Sequence, residues 1–186
     1  MSDNPSSAGN QQERLISIGR LLGFVDGEGC FSIGLTRQAG GDGRVGYRTG
    51  WQVSHSFDVV QSARSLDALE WLRDFFGVGA IYVNRRRDNH KEDLWHYVVR
   101  ARSDLREVII PFFERYPLRT SKRDDFTKFK RCIDLCAVGY HLTREGVAEI
   151  AAIMQTMNHQ KPRGELIRIL RDQTPNIPIV GIKIWS

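Results

Sequence analysis

Long apolar runs, a basic-then-apolar opening and a cysteine framework are all missing from this 186-residue sequence. No stretch approaches the ~18–20 consecutive apolar residues that cross a membrane as a helix. The first residues lack the basic-then-apolar order of a signal peptide, which predicts an intracellular, non-secreted protein with no membrane partner. Cysteine occurs three times, an odd number that builds no disulfide framework in a chain of this size. Cys132 and Cys136 stand four apart on one face of an expected helix, without zinc-like spacing or nearby histidines, and read as core residues. What remains is globular in character: 41% hydrophobic and 26% charged residues suit one domain with an appendage and a sizeable core.

Positive charge is scarce at the start of the chain. Residues 1–84 carry 7 basic and 9 acidic residues, residues 85–131 carry 14 and 8, and the remainder carries 6 and 5. The net charge of +5 therefore sits mid-chain, densest at Arg85, Arg86 and Arg87. A concentrated basic patch is one electrostatic footprint of nucleic acid. It is equally a solvated face that keeps a protein soluble, and charge alone does not choose between them.

The opening segment MSDNPSSAGNQQ (1–12) is small and polar and is expected to be a disordered tail. From Arg14, the residues Leu15, Ile18, Leu21, Leu22 and Val25 keep helical spacing, and Asp26-Gly27 closes the helix. Phe31, Ile33 and Leu35 alternate with Ser32, Gly34 and Thr36, the period of a half-buried strand. The glycine-rich RQAGGDGRVG (37–46) reads as a hairpin connection to a second strand. There Trp51, Val53, His55, Phe57 and Val59 share one side, opposite Gln52, Ser54, Ser56 and Asp58. His55 thus reads as a core or edge histidine rather than a ligand. Ser65 is the expected N-cap of a helix through Phe76 that stops at Gly77. Two further strands follow, around Ile81–Asn84 and Leu94–Ala101, separated by RRRDNHKED. A helix from Leu105 ends before Pro117, another runs Lys122–Val138 from a cap at Thr120 or Ser121, and Thr143 caps the last. The fold class is α+β: one antiparallel sheet with helices on one face and a polar face left open. Residues 13–138 form the expected core, and 139–186 a C-terminal helical extension and tail.

The stretch LLGFVDGEG (21–29) gives this architecture a chemistry. It resembles the LAGLIDADG motif of homing endonucleases at Leu21, Gly23, Asp26 and Gly29, with Leu22 in place of the first small Ala, the small Gly27 in place of the second and Glu28 in place of the second Asp. The αββαββα order is the core fold of that family, a saddle-shaped sheet, so the resemblance covers roughly residues 14–138. FDVVQS (57–62), FFGVGAIYV (75–83) and YPLRTSK (116–122) are similar to family segments in the same order, as is HLTREGVAEI…MN (141–158) to a C-terminal helix. Nothing here resembles the zinc-coordinated histidine nucleases.

The resemblance implies a site-specific DNA endonuclease of the single-motif, homodimeric kind. It would make double-strand breaks in a long pseudo-palindromic target, from a mobile intron, inside whichever compartment holds the host DNA. Phosphodiester hydrolysis of this type uses a divalent metal, Mg²⁺ with Mn²⁺ as a substitute, and a hard cation of this kind takes oxygen ligands. Glu28 then stands in the metal-ligand position and the Gly27 carbonyl is a second ligand, while Asp26 stabilises the helix end. The flanking glycines are expected to bring the backbone close to DNA and to adopt positive φ. Gln61 would hydrogen-bond the attacking water, and Lys122 would bring positive charge to the phosphate. Arg64, beside Ser65, is the nearest match to a further basic residue.

Two such helices must pack together to bring two acids to one DNA site. Gly19 and Gly23, four apart, allow close approach of helix backbones. Base contacts are expected from Ser32, Thr36, Gln38, Gln52, Ser54, Tyr82, Asn84 and Arg86, which alternate onto the open face, and phosphate contacts from Arg85 and Arg87. Two alternatives use the same scaffold: an RNA maturase assisting intron splicing, with RNA as partner, and a catalytically silent DNA-binding regulator.

Overall fold

The computed structural model describes residues 5–38, 49–85 and 93–158. The expected hairpin tip, the arginines Arg86 and Arg87, and the tail beyond residue 158 lie outside the described residues. The elements run α1 (Pro5–Glu28), β1 (Gly29–Arg37), β2 (Trp51–Ser62), α2 (Leu66–Phe76), β3 (Ala80–Asn84), β4 (Leu94–Val99), α3 (Arg102–Asp104), α4 (Ile110–Arg115), α5 (Lys122–Ala137) and α6 (Arg144–Gln155). This is the αββαββα order expected from the sequence, followed by α6. The sheet has strand order β1-β2-β4-β3. β4 runs antiparallel to both neighbours, with Phe57 opposite Val99, Gln61 opposite Trp95 and Tyr82 opposite His96.

The chain divides into two compact units, residues 1–33 with 55–133, and residues 34–54 with 134–186. The sequence had suggested a single break near residue 138. In the first unit, strand alternation turns Phe31, Phe57, Val59, Tyr97 and Val99 inward, each at most 1% exposed. Phe31 packs its ring 5.1 Å from Phe57, 5.5 Å from Phe113, 5.3 Å from Phe126 and 5.4 Å from Phe129, joining β1 and β2 to α4 and α5. Each buried phenyl contributes roughly 1.5–3 kcal/mol, and Phe31→Ala costs about 3–5 kcal/mol once the cavity is included. α2 adds Leu69, Leu72 and Phe76 to this core, with Phe76 stacked on Tyr97. The Tyr97 hydroxyl donates to the Val78 carbonyl at 2.9 Å, which satisfies a polar atom in an apolar setting. Burial raises its pKa well above the ordinary value.

Several local expectations change. α1 begins at Pro5, so most of the segment read as a disordered tail is helical; its polar composition carried no apolar periodicity to reveal it. α1 also runs through Asp26-Gly27 to Glu28. Ser65 occupies the position before α2, but its side chain makes no capping hydrogen bond, because a 3₁₀ turn (Ala63–Ser65) already leads into the helix. Gly77 ends α2 in the left-handed region at φ 67°, as a C-terminal glycine does. A π turn (Leu105–Ile109) separates α3 from α4 directly before Pro111, whose missing N–H cannot donate back into the helix.

In the second unit, the Thr143 hydroxyl accepts from the Gly146 amide at 3.0 Å and caps α6 as expected. Val147, Ile150, Ala151 and Met154 form its buried face. Cys132 and Cys136 are buried, matching their reading as core residues. Among the described residues, no helix is long and apolar enough to cross a membrane.

Candidate active site

The site forms at the C-terminal end of α1, entirely within the first unit. Ile18, Leu21 and Val25 recur at helical spacing and are at most 5% exposed, which fixes the helix against the core. Gly29 then starts β1 with no room for a side chain: a Cβ there would lie 2.6 Å from Val25 Cγ1. That steric closeness, not positive φ, requires the glycine. Neither Gly27 nor Gly29 has positive φ, contrary to the expectation from sequence. The chain therefore turns from helix to strand within one residue of Glu28.

Two carboxylates stand at this corner with different surroundings. Asp26 accepts three hydrogen bonds: from the Arg119 amide at 2.9 Å, the Thr120 amide at 3.1 Å and the Thr120 hydroxyl at 2.8 Å. Burial pushes its pKa up, but these donors and the charge of Lys122 outweigh that and hold it below the ordinary 3.8. The carboxylate thus ties the segment before α5 to the end of α1. Leu118, 2% exposed, anchors the same segment in the core. Glu28, by contrast, is exposed and has no hydrogen-bond or ion-pair partner among the described residues.

The tether has a consequence for Lys122. As the first residue of α5, it donates its ammonium to the Asp26 carbonyl at 2.8 Å and the Gly27 carbonyl at 2.6 Å. These are terminal carbonyls of α1, at the negative end of the helix dipole, and α1 has no basic residue of its own in its last turn. Lys122 supplies that charge from 95 residues away. The oxygen expected as a metal ligand, Gly27 O, therefore already attracts a cation.

Other expected site residues fall as follows. Gln61 is the penultimate residue of β2, half-buried opposite Trp95, and no hydrogen bond joins it to Glu28 or Lys122. Gly19 and Gly23 lie on the exposed face of α1, and a Cβ on either would meet nothing within 4 Å. Leu15 and Ile16 on the same helix are 58% and 48% exposed. Asn84 is half-buried and Arg85 exposed at the end of β3. Tyr82 is exposed, with the Arg100 guanidinium 5.7 Å from its ring centre. The Ser32 hydroxyl lies 3.2 Å from Cys30 Sγ. In the second unit, Thr36 and Ser54 are exposed, and Gln38 Nε2 donates to Gln52 Oε1 at 3.1 Å. His55 is half-buried, and the described residues contain no cluster of three His, Cys, Asp or Glu side chains that would hold a metal.

Two features escaped the sequence reading. The Asp26 bonds to Arg119 and Thr120 span more than 90 residues, and only the YPLRTSK segment hinted at them. Asp58 was left out of the base-reading set although it is the one acidic residue in any of the four strands.

Comparison with known proteins identifies the family. The profile described as LAGLIDADG endonuclease matches residues 21–133. An uncharacterized 50.9 kDa protein in ND4 intron 1 of Podospora anserina is 38% identical over 126 residues, 67% of this chain and 25% of its own length. The crystal structure of the homing endonuclease I-TnaI superposes with a TM-score of 0.71 at 37% identity, covering 84% of this chain and 97% of that one. I-SmaMI, bound to an uncleaved DNA target in the presence of calcium ions, gives a TM-score of 0.70 at 28% identity, covering 87% of this chain and 51% of that one. The chain belongs to the LAGLIDADG endonuclease family. It spans about a quarter of the length of the first curated relatives it matches.

Proposed function

We propose that this chain is a site-specific DNA endonuclease that works as a homodimer, depends on a divalent cation and cuts both strands of a long pseudo-palindromic target. The observation that carries the proposal is the end of α1. There the partnerless Glu28 carboxylate stands next to a carbonyl already held by the Lys122 ammonium. The DNA-bound I-SmaMI structure supports double-stranded DNA as the substrate. The relative in an intron supports an origin in a mobile intron, with action inside the compartment that holds the target DNA.

The donor set fits a hard cation, Mg²⁺ or Mn²⁺ as its substitute. Glu28 and Gly27 offer only oxygen, at the negative end of a helix, and a single carboxylate leaves the remaining positions to water and phosphate oxygens. When bound, the cation polarises the scissile phosphate and makes an attacking water more acidic. Lys122 brings positive charge to the same corner, where it stabilises charge developing on the phosphate. Asp26 acts on Lys122, holding the start of α5 in register with α1. Gln61 offers its amide to the attacking water.

One chain supplies one Glu28, so a double-strand break needs a second copy. The exposed face of α1 suits that contact: Gly19 and Gly23 carry open space, and Leu15 and Ile16 expose apolar surface beside them. The test is incubation of the purified chain with a library of candidate duplexes in Mg²⁺ and in Ca²⁺. Cutting of both strands in Mg²⁺ alone supports the proposal. Binding without metal-dependent cutting overturns it, and tight binding of structured RNA in place of DNA replaces it with the maturase reading.

A further inference from the structure

We infer that Asp58 reads a cytosine in each half of the DNA target, an assignment that rests on the function proposed above. The four strands contain one acidic residue, and it is Asp58. Phe57 and Val59 on either side of it are fully buried, so alternation turns Asp58 to the open face. It stands opposite Val98 in the register of β2 with β4. The Ser56 hydroxyl donates to Asp58 Oδ2, which orients the carboxylate. Oδ1 has no partner among the described residues, and no Lys, Arg or His pairs with the group.

A carboxylate on a surface that meets a polyanion repels it and weakens binding to every sequence alike. That repulsion is offset where the carboxylate meets a donor that only some sequences offer. In the major groove, base edges present two amino donors, cytosine N4 and adenine N6. Adenine N6 lies beside the N7 acceptor, whose lone pair faces the second carboxylate oxygen. Cytosine N4 has no such neighbour on its own base, and acidic side chains pair with it. Asp58, held by Ser56 through one oxygen and open at the other, suits that single donor. An asparagine at the same place would present an acceptor and a donor together, the pair that matches adenine.

The test is recovery of bound duplexes from a library randomised across both half-sites, in Ca²⁺, by the wild type, Asp58→Asn and Asp58→Ala. The wild type is expected to enrich cytosine about tenfold or more at one position of each half-site. Asp58→Asn should shift that position toward adenine and Asp58→Ala should flatten it, with preferences elsewhere unchanged, which also shows that both variants are folded. Preferences of the three proteins that superimpose at every position would overturn the assignment while leaving the endonuclease reading intact. So would a uniform gain in affinity for all sequences, since the charge would then act only as general repulsion. A wild type that enriches no DNA sequence would overturn both.

Discussion

Asp26 and Glu28 lie two residues apart at one helix end, yet one is saturated with donors and the other has none. Asp26 accepts from two amides and a hydroxyl and has a lowered pKa; Glu28 faces solvent. On the proposed function, the difference separates construction from chemistry. Asp26 closes the joint between α1 and α5 and so delivers Lys122 to the α1 carbonyls. Glu28 does nothing for the folded chain on its own, and a free carboxylate at a rigid, glycine-lined corner is what an oxygen-seeking cation needs. A helix that only packed would have use for the first arrangement and none for the second.

That division can be broken in graded steps. Lys122→Met removes the charge at the shared carbonyls and should slow cleavage by about a hundredfold, measured under single-turnover conditions with bound DNA. Gly23→Leu fills the open space on the exposed face of α1. It should weaken self-association about tenfold or more in sedimentation experiments, while the melting temperature of the dilute, monomeric chain does not fall, because Leu is the better helix former. Asp26→Asn should cost about 1–2 kcal/mol in denaturant unfolding, since an amide cannot accept from three donors as a carboxylate does. Its smallest effect is in pH. The folded pKa of Asp26 is below 3.8, so its stabilisation is complete above that value and lost as pH falls through the folded pKa. The gap in melting temperature between wild type and Asp26→Asn should therefore be constant near neutrality and close only in acid.

The parts legible in the sequence are those written in local periodicity. Ile18, Leu21 and Val25 announce α1, the alternation around Phe31 and Phe57 announces the strands, and Gly77 marks the end of α2. The illegible parts have physical reasons. The first turns of α1 are polar in sequence, so no apolar pattern revealed them. The capping role assigned to Ser65 failed because a preceding 3₁₀ turn changes the backbone entering α2. At the site, resemblance to a family motif singled out Glu28 and Lys122 as candidates. The tie of Lys122 to the end of α1 was not legible, because its hydrogen bonds to the Asp26 and Gly27 carbonyls leave no trace in side-chain spacing. Asp58 was passed over because a single acid among polar strand residues looks like an ordinary wet sheet face.

The most direct measurement is single-turnover cleavage of a recovered duplex target in Mg²⁺ by wild type and Glu28→Gln, alongside their DNA affinity in Ca²⁺ and their melting temperatures. Glu28→Gln is expected to lose cleavage by about a hundredfold or more, to bind the same target within about threefold and to melt with the wild type, because Glu28 has no partner in the folded chain. A Glu28→Gln protein that cuts at the wild-type rate, or one that loses stability as Asp26→Asn does, would contradict the separation of the two carboxylates.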